Sequence, residues 1–363
     1  MEINVCFESR EDFDNRIKGI EEKVYFKDIL AKSVIDMYNN FVCEGDTLII
    51  TLEDCSGVNS HVLETLIDIF EYVEQNSDVN RLFVNNPTKN LYKGLKRKGI
   101  QNLFTGKFNK IREHNIKEVH DSFDKNIVGQ EKAKHMICSK LVTQLIRPDF
   151  KPLVLMFYGK PGLGKTETAK FLAKALYKNG DIVREQMSMV GGEAGVKYFK
   201  SASHSENSFS KTLFNRNSNI ILLDEFILAP DFFKTSFFQM FDEGYYSDQN
   251  FEVDVRNSII ICTSNMLSIN EMHQNIDSAL LSRFDGFVEF VDFNTEEKQE
   301  IVNSVLKKLL SKENMKTEYK KKIEIEKIQN KIDKAISSMS NARNIKRFVE
   351  DAVSDELLNI ILK

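Results

Sequence analysis

The chain has 363 residues, of which 29% are charged, and a formal net charge of −4 at pH 7. This length accommodates two or three domains with their own cores, and the nearly balanced charge argues against nucleic acid or an anionic membrane as the principal partner. The five cysteines form no C-x-x-C pair, which is typical of a reduced compartment and disfavours a disulfide framework or a zinc site. Because no signal-peptide pattern and no membrane-length apolar run are present, we expect a cytoplasmic protein without a membrane partner.

Strand and helix patterns alternate across residues 1–112. Residues 47–52 and 81–84 are short apolar runs typical of strands, and Leu91 and Leu95 lie at helical spacing after the second run. Another helix is expected to begin near Ser60. Its apolar face would consist of Val62, Leu63, Leu66, Ile67, Phe70 and Val73. This alternation predicts a small α/β domain.

The same segment resembles a STAS-like domain, the fold of anti-sigma-factor antagonists. The resemblance is carried by residues 47–52, 56–60, 82–86 and 95–100. That family often has a phosphorylatable serine at the start of a helix, but its Asp-Ser-Ser-Gly is absent here. We therefore interpret Ser60 as a helix N-cap, and leave open whether Ser56 or Ser60 is phosphorylated. The resemblance implies a domain that binds a protein partner.

The most specific motif is Gly-Lys-Pro-Gly-Leu-Gly-Lys-Thr at residues 159–166, which matches G-x-x-x-x-G-K-[ST]. The apolar run 153–158 predicts a buried parallel strand before it, and residues 166–177 predict a helix after it. The glycines would let backbone N–H groups surround an anion at the positive end of that helix. Lys165 would reach the β- and γ-phosphates of a nucleotide, and Thr166 would hold Mg²⁺.

Two other apolar runs end in polar residues that suit the same site. Residues 219–223 are followed by Asp224 and Glu225, and residues 258–263 are followed closely by Asn265. In open α/β sheets, ligands bind at the carboxyl ends of the strands. We therefore predict that Asp224 holds Mg²⁺, that Glu225 deprotonates the attacking water, and that Asn265 senses the terminal phosphate.

Together these motifs resemble AAA+ ATPases, and in particular the second ATPase module of Clp-type unfoldases and disaggregases. The matching segments, in family order, are 127–133, 159–166, 222–225, 244–248, 253–257, 263–265, 282–285 and 341–347. The implied fold is a P-loop AAA+ module, with a parallel sheet and flanking helices in residues 113–295 and a small helical lid in residues 296–363. The implied nucleotide-binding residues are Val128, Gly129, Gly159, Lys160, Pro161, Gly162, Leu163, Gly164, Lys165, Thr166, Glu167, Asp224 and Arg343.

The resemblance also implies a ring, most often a hexamer, in which subunits complete each other's sites. Arg283 would reach the γ-phosphate in a neighbouring subunit, and Arg343 would act from the lid on its own nucleotide. The alternative for either arginine is a surface salt bridge. Asn341 stands where the family prefers glycine.

Two departures from the Clp pattern concern partners. Residues 266–281 contain no Ile-Gly-Phe or Ile-Gly-Leu tripeptide of the kind that docks a peptidase ring, so a peptidase partner is disfavoured. The Gly-Tyr-Val-Gly pore loop is replaced by residues 195–200. Glycines before this segment and serines after it predict an exposed loop in which Tyr198 and Phe199 line a pore and grip a polypeptide. The alternative is that one of these aromatic residues packs on the core.

Three functions are compatible with these patterns. The first is a ring-forming, Mg-ATP-dependent remodeller or unfoldase of proteins whose N-terminal domain selects the partner. The second is an ATP-controlled signalling or assembly switch that threads no substrate. The third, a nucleic-acid translocase or loader, is disfavoured by the weak net charge.

Overall fold

The computed structural model of the protein describes residues 1–30, 45–57, 70–71, 73–75, 77–106, 108, 110–177, 180–201, 205–311 and 315–362. Within these ranges the strands form two five-stranded parallel sheets and one antiparallel pair. No helix in the described part of the chain is long and apolar enough to cross a membrane.

The first sheet belongs to the N-terminal region. Its strands are β1 (Glu2–Phe7), β2 (Lys23–Tyr25), β3 (Thr47–Ile50), β4 (Arg81–Asn85) and β5 (Asn102–Thr105), in the order β2-β3-β4-β1-β5. Each neighbouring pair is parallel. The α-helices in the described part of this region include Arg10–Ile17, Phe26–Leu30 and Lys89–Lys98.

The sequence predicted only part of this sheet. The runs at 47–52 and 81–84 contain β3 and β4, but β1, β2 and β5 were not predicted, and β1 forms ladders with both β4 and β5. Of the helix expected from Ser60, residues 58–69 lie outside the described residues, whereas Phe70 and Val73 are buried. The α/β prediction is confirmed, and the STAS-like resemblance stays a prediction.

The second sheet carries the phosphate loop. Its strands are β6 (Leu153–Tyr158), β7 (Val183–Gln186), β8 (Ile220–Asp224), β11 (Ile259–Thr263) and β12 (Gly286–Glu289), in the order β12-β6-β11-β8-β7. All its pairs are parallel. Between β8 and β11 the chain forms an antiparallel hairpin of β9 (Tyr245–Ser247) and β10 (Glu252–Asp254). The three strands predicted around the motifs correspond to β6, β8 and β11.

Helices cover both faces of this sheet. They are Glu113–Asn126, Glu131–Ile146, Lys165–Leu176, Gly192–Lys200, Phe209–Phe214, Asp231–Ser236, Phe238–Glu243, Ile269–Asn275 and Ser278–Leu281. On one face, Leu155 and Phe157 pack in a core with the first three of these helices and the lid. On the other face, Val154 and Met156 contact a core rich in phenylalanine. Burial on both faces explains why β6, β8 and β11 are nearly continuous apolar runs.

The C-terminal region is helical, as predicted. Its helices are Thr295–Leu309, Thr317–Lys322, Ile325–Ala335 and Ala342–Ile361. Asn294 caps the first of them with a capping box, in which Glu297 reaches back to the Asn294 N–H at 2.8 Å. Ile332, Ile345 and Val349 are fully buried between the helices. This lid packs on the same core as the phosphate-loop helix.

The N-terminal sheet is docked on the second one. The backbone N–H of Lys89 donates to the Asn250 carbonyl at 2.8 Å, and its ammonium donates to the Ser247 hydroxyl at 2.6 Å. Leu52 is buried in the phenylalanine-rich core of the second sheet. The predicted boundary at residue 112 lies between β5 and the helix that begins at Glu113. The contacts therefore join the N-terminal region to the β9–β10 hairpin.

Candidate nucleotide site

The phosphate loop has a backbone that demands glycine. Gly159, Gly162 and Gly164 have φ angles of 127°, 77° and 99°, which side chains rarely adopt. A Cβ on Gly159 would also lie 2.3 Å from the Phe290 carbonyl oxygen. Gly164 is the N-cap of helix Lys165–Leu176, and since it has no side chain, the first N–H groups of the helix stay open to an anion. The loop thus fits a phosphate chain.

Lys165 lies at the centre of the loop and is buried. Its ammonium donates to the Lys160 carbonyl at 2.9 Å, to Asn265 Oδ1 at 3.2 Å, and to the Gly159 carbonyl. Burial lowers the pKa of Lys165 to about 8, against the opposing effect of the carboxylates of Asp224 and Glu225. A desolvated ammonium held by neutral oxygens is ready to bind an anion. The contact also brings the predicted sensor Asn265 to the phosphate-loop lysine.

The two carboxylates at the end of β8 are held by neighbouring strands. Asp224 Oδ1 accepts from the Thr263 hydroxyl at 2.6 Å, and the same hydroxyl accepts from the Glu225 N–H at 2.8 Å. Glu225 has a left-handed φ of 55°, which turns its side chain away from the strand direction. Its Oε2 accepts from Gln186 Nε2 at 2.7 Å. Asp224 Oδ2 accepts from Arg184 Nη2 at 2.6 Å.

Sequence reasoning missed Arg184, Gln186 and Thr263. Thr263 was placed in a strand and in the family-matched segment 263–265, but its contacts with Asp224 and Glu225 were not predicted. Strand β7 reads Val-Arg-Glu-Gln, a short edge strand that is too polar to be recognised by periodicity. The parallel register that places Gln186 opposite Asp224 is a tertiary property. The one sequence feature that could have indicated Arg184 and Gln186 is that they are polar residues at the carboxyl end of a strand, as are the predicted site residues of β8.

The family-matched segment 127–133, called the entry box below, lies where the lid begins. Gly129 has a φ of 65°, and a Cβ there would lie 2.4 Å from the Glu297 carboxylate of the first lid helix. The Gln130 side chain forms two hydrogen bonds with the Val291 backbone, of 2.8 and 3.0 Å. Val128 packs against the core shared with the lid. The entry box is therefore fixed at the junction of the large subdomain and the lid.

The remaining predicted phosphate-loop residues differ in exposure. Leu163 is buried in the core, and Pro161 is exposed. Lys160 forms an ion pair with Asp292, and Glu167 forms an exposed ion pair with Lys170 at 2.9 Å. Thr166 is the second residue of the helix, next to Lys165.

The last lid helix touches the phosphate loop. The Ala342 N–H donates to the Gly162 carbonyl at 3.1 Å. Asn341 caps this helix by accepting from the Asn344 N–H at 2.9 Å, so the residue that replaces the family's glycine has a structural role. Arg343 follows at the second helical position and is exposed. The structure therefore places Arg343 beside the loop without a contact that defines its role.

Arg283 lies in a different environment from the other candidates. Its Nε donates to Asp242 at 2.9 Å, its guanidinium lies 3.8 Å from the centre of the Phe238 ring, and it donates to the Ala279 carbonyl. The ion pair with Asp242 is the salt bridge that the sequence analysis gave as the alternative role of Arg283. The contact of Arg283 with the γ-phosphate in a neighbouring subunit stays a prediction.

The expectation for Tyr198 and Phe199 is wrong. Residues 195–200 belong to helix Gly192–Lys200 and not to an exposed loop. Phe199 is 2% exposed and packs against Phe209, Phe233 and Phe237, with ring centres 5.1 to 5.7 Å apart. Tyr198 packs against the same core, and its hydroxyl donates to Glu185 Oε1 at 2.6 Å. Both side chains pack on the core of their own subunit, which is the alternative stated above for one of them.

The parallel sheet and the glycine-rich loop have the features of P-loop AAA+ ATPases. Residues 151–319 match the AAA domain (Cdc48 subfamily) family. The chain is 29% identical over 277 residues to the ATP-dependent Clp protease ATP-binding subunit ClpL of Staphylococcus aureus strains RF122 and USA300. Each alignment covers 68% of this chain and 38% of the relative, so the chain matches well under half of each relative's length.

Two solved structures share the fold. The closed state of Hsp104 with ATPγS and FITC casein has a TM-score of 0.57 and 15% identity, covering 97% of this chain and 80% of that one. The S. cerevisiae Hsp104–ADP complex has a TM-score of 0.55 and 20% identity, covering 69% and 40%. The family match, the Clp relatives and the shared fold together support a Clp-type AAA+ ATPase module in this chain.

Proposed function

We propose that this protein is an Mg-ATP-dependent ATPase that remodels protein partners as a ring-shaped homo-oligomer. The observation that carries the nucleotide chemistry is the convergence of three strand ends on one loop. Lys165 contacts Asn265 at 3.2 Å, and Thr263 bridges Asp224 and Glu225 on the neighbouring strand.

Different residues of the site would bind the phosphates, hold Mg²⁺ and activate water. Backbone N–H groups of the loop and Lys165 bind the phosphates, while the Thr166 hydroxyl and Asp224 are hard oxygen ligands suited to Mg²⁺. When bound, the metal neutralises charge on the phosphates. Glu225 accepts the proton of the attacking water, and Gln186 orients that carboxylate until nucleotide arrives. Asn265 would hydrogen-bond the terminal phosphate while its side-chain oxygen accepts from Lys165.

The ring and the protein substrate are supported by similarity. The relatives are named as ATP-binding subunits of Clp proteases, and one structural neighbour was solved with casein. In a ring, Arg283 of one subunit would leave Asp242 to meet the nucleotide of the next, and Arg343 would close the lid on its own nucleotide. The N-terminal region, docked through Lys89, would select the partner. A hexamer acting in the cytoplasm is the form that this proposal implies.

An ATPase assay with added macromolecules tests this proposal. Turnover should require Mg²⁺ and should rise when unfolded casein is added, and neither DNA nor RNA should change it. Arg283→Ala should bind ATP without hydrolysing it, and mixing it with Glu225→Gln should restore some turnover through interfaces that have both groups. A wild-type protein that hydrolyses ATP at full rate as a monomer would remove Arg283 from this role.

A second function is favoured by one observation. Because Tyr198 and Phe199 are packed, the aromatic grip expected of a threading motor has lost its candidates. The N-terminal region is instead hydrogen-bonded to the hairpin that precedes the sensor strand. An ATP-controlled switch without threading would show slow turnover that unfolded casein does not stimulate, which is the opposite result in the same assay.

A further inference from the structure

Strand β7 holds both carboxylates of the site from the edge of the sheet. Gln186 lies opposite Asp224 in the register, and alternate residues of a strand point to the same face. Arg184 and Gln186 therefore share one face, where Arg184 binds Asp224 and Gln186 binds Glu225. Glu185 points to the other face, where it accepts from Tyr198.

Arg184 binds the carboxylate that is predicted to hold the metal. Its Nε and Nη2 donate to Asp224 Oδ2 at 3.2 and 2.6 Å. The other oxygen of Asp224 is taken by the Thr263 hydroxyl. Lys165 is the other nearby cation, but its hydrogen bonds go to two carbonyls and the Asn265 side chain. Arg184 is therefore the cation that directly neutralises Asp224.

The two partners differ in exposure. The Asp224 side chain is 11% exposed, whereas that of Arg184 is 44% exposed. Removing the arginine alone would leave a largely buried carboxylate beside Glu225 without a counter-charge, which is costly. A half-exposed guanidinium, by contrast, can move into water easily. The exposed Arg184 guanidinium can therefore move away from the Asp224 carboxylate when another cation binds that carboxylate.

We propose that Arg184 is a positioning residue that neutralises Asp224 while the site holds no metal and gives up this carboxylate to Mg²⁺. This inference rests on the proposed Mg-ATP function. Without Mg²⁺, Arg184 reduces the repulsion between the phosphates and the paired carboxylates. With Mg²⁺, the metal supplies that charge and competes with Arg184 for Asp224. Replacing Arg184 should therefore weaken metal-free nucleotide binding and leave Mg-ATP binding unchanged or tighter.

The test is the dissociation constant of ATP measured by calorimetry in Mg²⁺ and in EDTA. The ratio of the EDTA value to the Mg²⁺ value should rise about tenfold in Arg184→Met, as expected for the loss of a charge-assisted hydrogen bond. It should stay near the wild-type value in Arg184→Lys, which keeps the charge. Arg256→Met is the control, because the Arg256 side chain is 42% exposed, close to the 44% of Arg184, and pairs with Asp254 of the hairpin.

A double-mutant cycle isolates the Arg184–Asp224 contact. In the Asp224→Asn background, Arg184→Met should not change the ratio further, because the carboxylate that needs neutralising is gone. If the ratio rises equally in both backgrounds, Arg184 acts on some other group and the proposal is overturned.

Two other results would contradict it. A ratio in Arg184→Met within about threefold of wild type would show that the pair does not compete with the metal. A loss of affinity larger in Mg²⁺ than in EDTA would mean that Arg184 contacts the phosphates. Thermal unfolding checks the fold, and Arg184→Gln replaces Arg184→Met if the latter does not fold. If wild type binds no ATP under either condition, the nucleotide function itself is wrong, whereas normal wild-type binding with an unchanged ratio overturns only the role of Arg184.

Discussion

Two regions of the molecule differ in how well the sequence predicted them. One is the sheet edge formed by the phosphate loop (residues 159–166), Asp224, Glu225 and Asn265, called the site edge or the edge below, whose residues were predicted to lie together. The other is the helix Gly192–Lys200, part of which was predicted to be an exposed loop. At the edge, each motif follows an apolar strand, and the strand pairings that bring the motifs together are those expected of a parallel sheet. In the helix, glycines and neighbouring serines suggested an exposed loop, but Phe199 is only 2% exposed. The sequence thus predicts site residues well when each lies in a short motif next to an apolar strand. It predicts the burial of a side chain poorly when that burial depends on residues far away in the sequence.

The largest effect, on ATP turnover, is expected from a substitution of Glu225 at the site edge. Glu225→Gln should reduce ATP turnover by about 100- to 10,000-fold, because an amide cannot take the proton of the attacking water. ATP binding and thermal stability should stay near wild type, since the phosphate loop is untouched. Glu193→Gln, an exposed partner of Lys197, is the control and should hydrolyse ATP normally. Wild-type turnover in Glu225→Gln would remove this residue from the role of base.

In the helix the main effect should be on stability. Phe199→Ala should lower the free energy of unfolding by ~3–5 kcal/mol, because it leaves a cavity among Phe209, Phe233 and Phe237. Phe232→Ala is the matched control, since Phe232 is 50% exposed and its loss should cost less than ~1 kcal/mol. Denaturant unfolding of both variants gives the difference. Equal stability losses would mean that Phe199 is not the core residue described here.

The edge should also respond to pH through Lys165. Its pKa of about 8 in the nucleotide-free protein means that the ammonium is charged at pH 7 and largely neutral at pH 9. Since phosphates bind the charged form, the dissociation constant of ATP should rise about tenfold between these values. Calorimetry on Glu225→Gln avoids hydrolysis during the measurement. A constant affinity from pH 7 to 9 would show that the lysine stays protonated throughout.

The smallest effect is expected for the tyrosine next to Phe199. Tyr198→Phe keeps the ring in the core and removes only its hydrogen bonds to Glu185 and Thr212. The free energy of unfolding should fall by ~1 kcal/mol. Burial raises the pKa of Glu185, and the Tyr198 hydroxyl opposes that rise, so the variant should also titrate Glu185 at higher pH. Carboxyl NMR shifts can follow it, and an unchanged Glu185 titration would show that the hydroxyl does not stabilise the charged form.

Several parts of the fold could be predicted because their cause is local. An apolar run of six residues before the phosphate loop predicted β6 with the bounds that the structure has. The runs ending at Asp224 and near Asn265 predicted β8 and β11 within one residue. Strands β2 and β5 were not predicted because they have only three and four residues. Strand β1 has six residues, but Asn4 interrupts its apolar run, so its burial depends on the neighbours that it pairs with.

The sequence by itself determined the class of chemistry. Glycine at three positions of positive φ, a lysine, a threonine and strand-end carboxylates leave few alternatives to a nucleotide phosphate site, because each residue type is required by the backbone or by the charge of the ligand. Tertiary structure decided how the carboxylates are held. Arg184 and Gln186 reach them only because β7 pairs with β8 in one register, and Phe199 is buried only because residues from later helices surround it. Pairings between distant segments are set by the packing of the whole domain, and no local pattern records them.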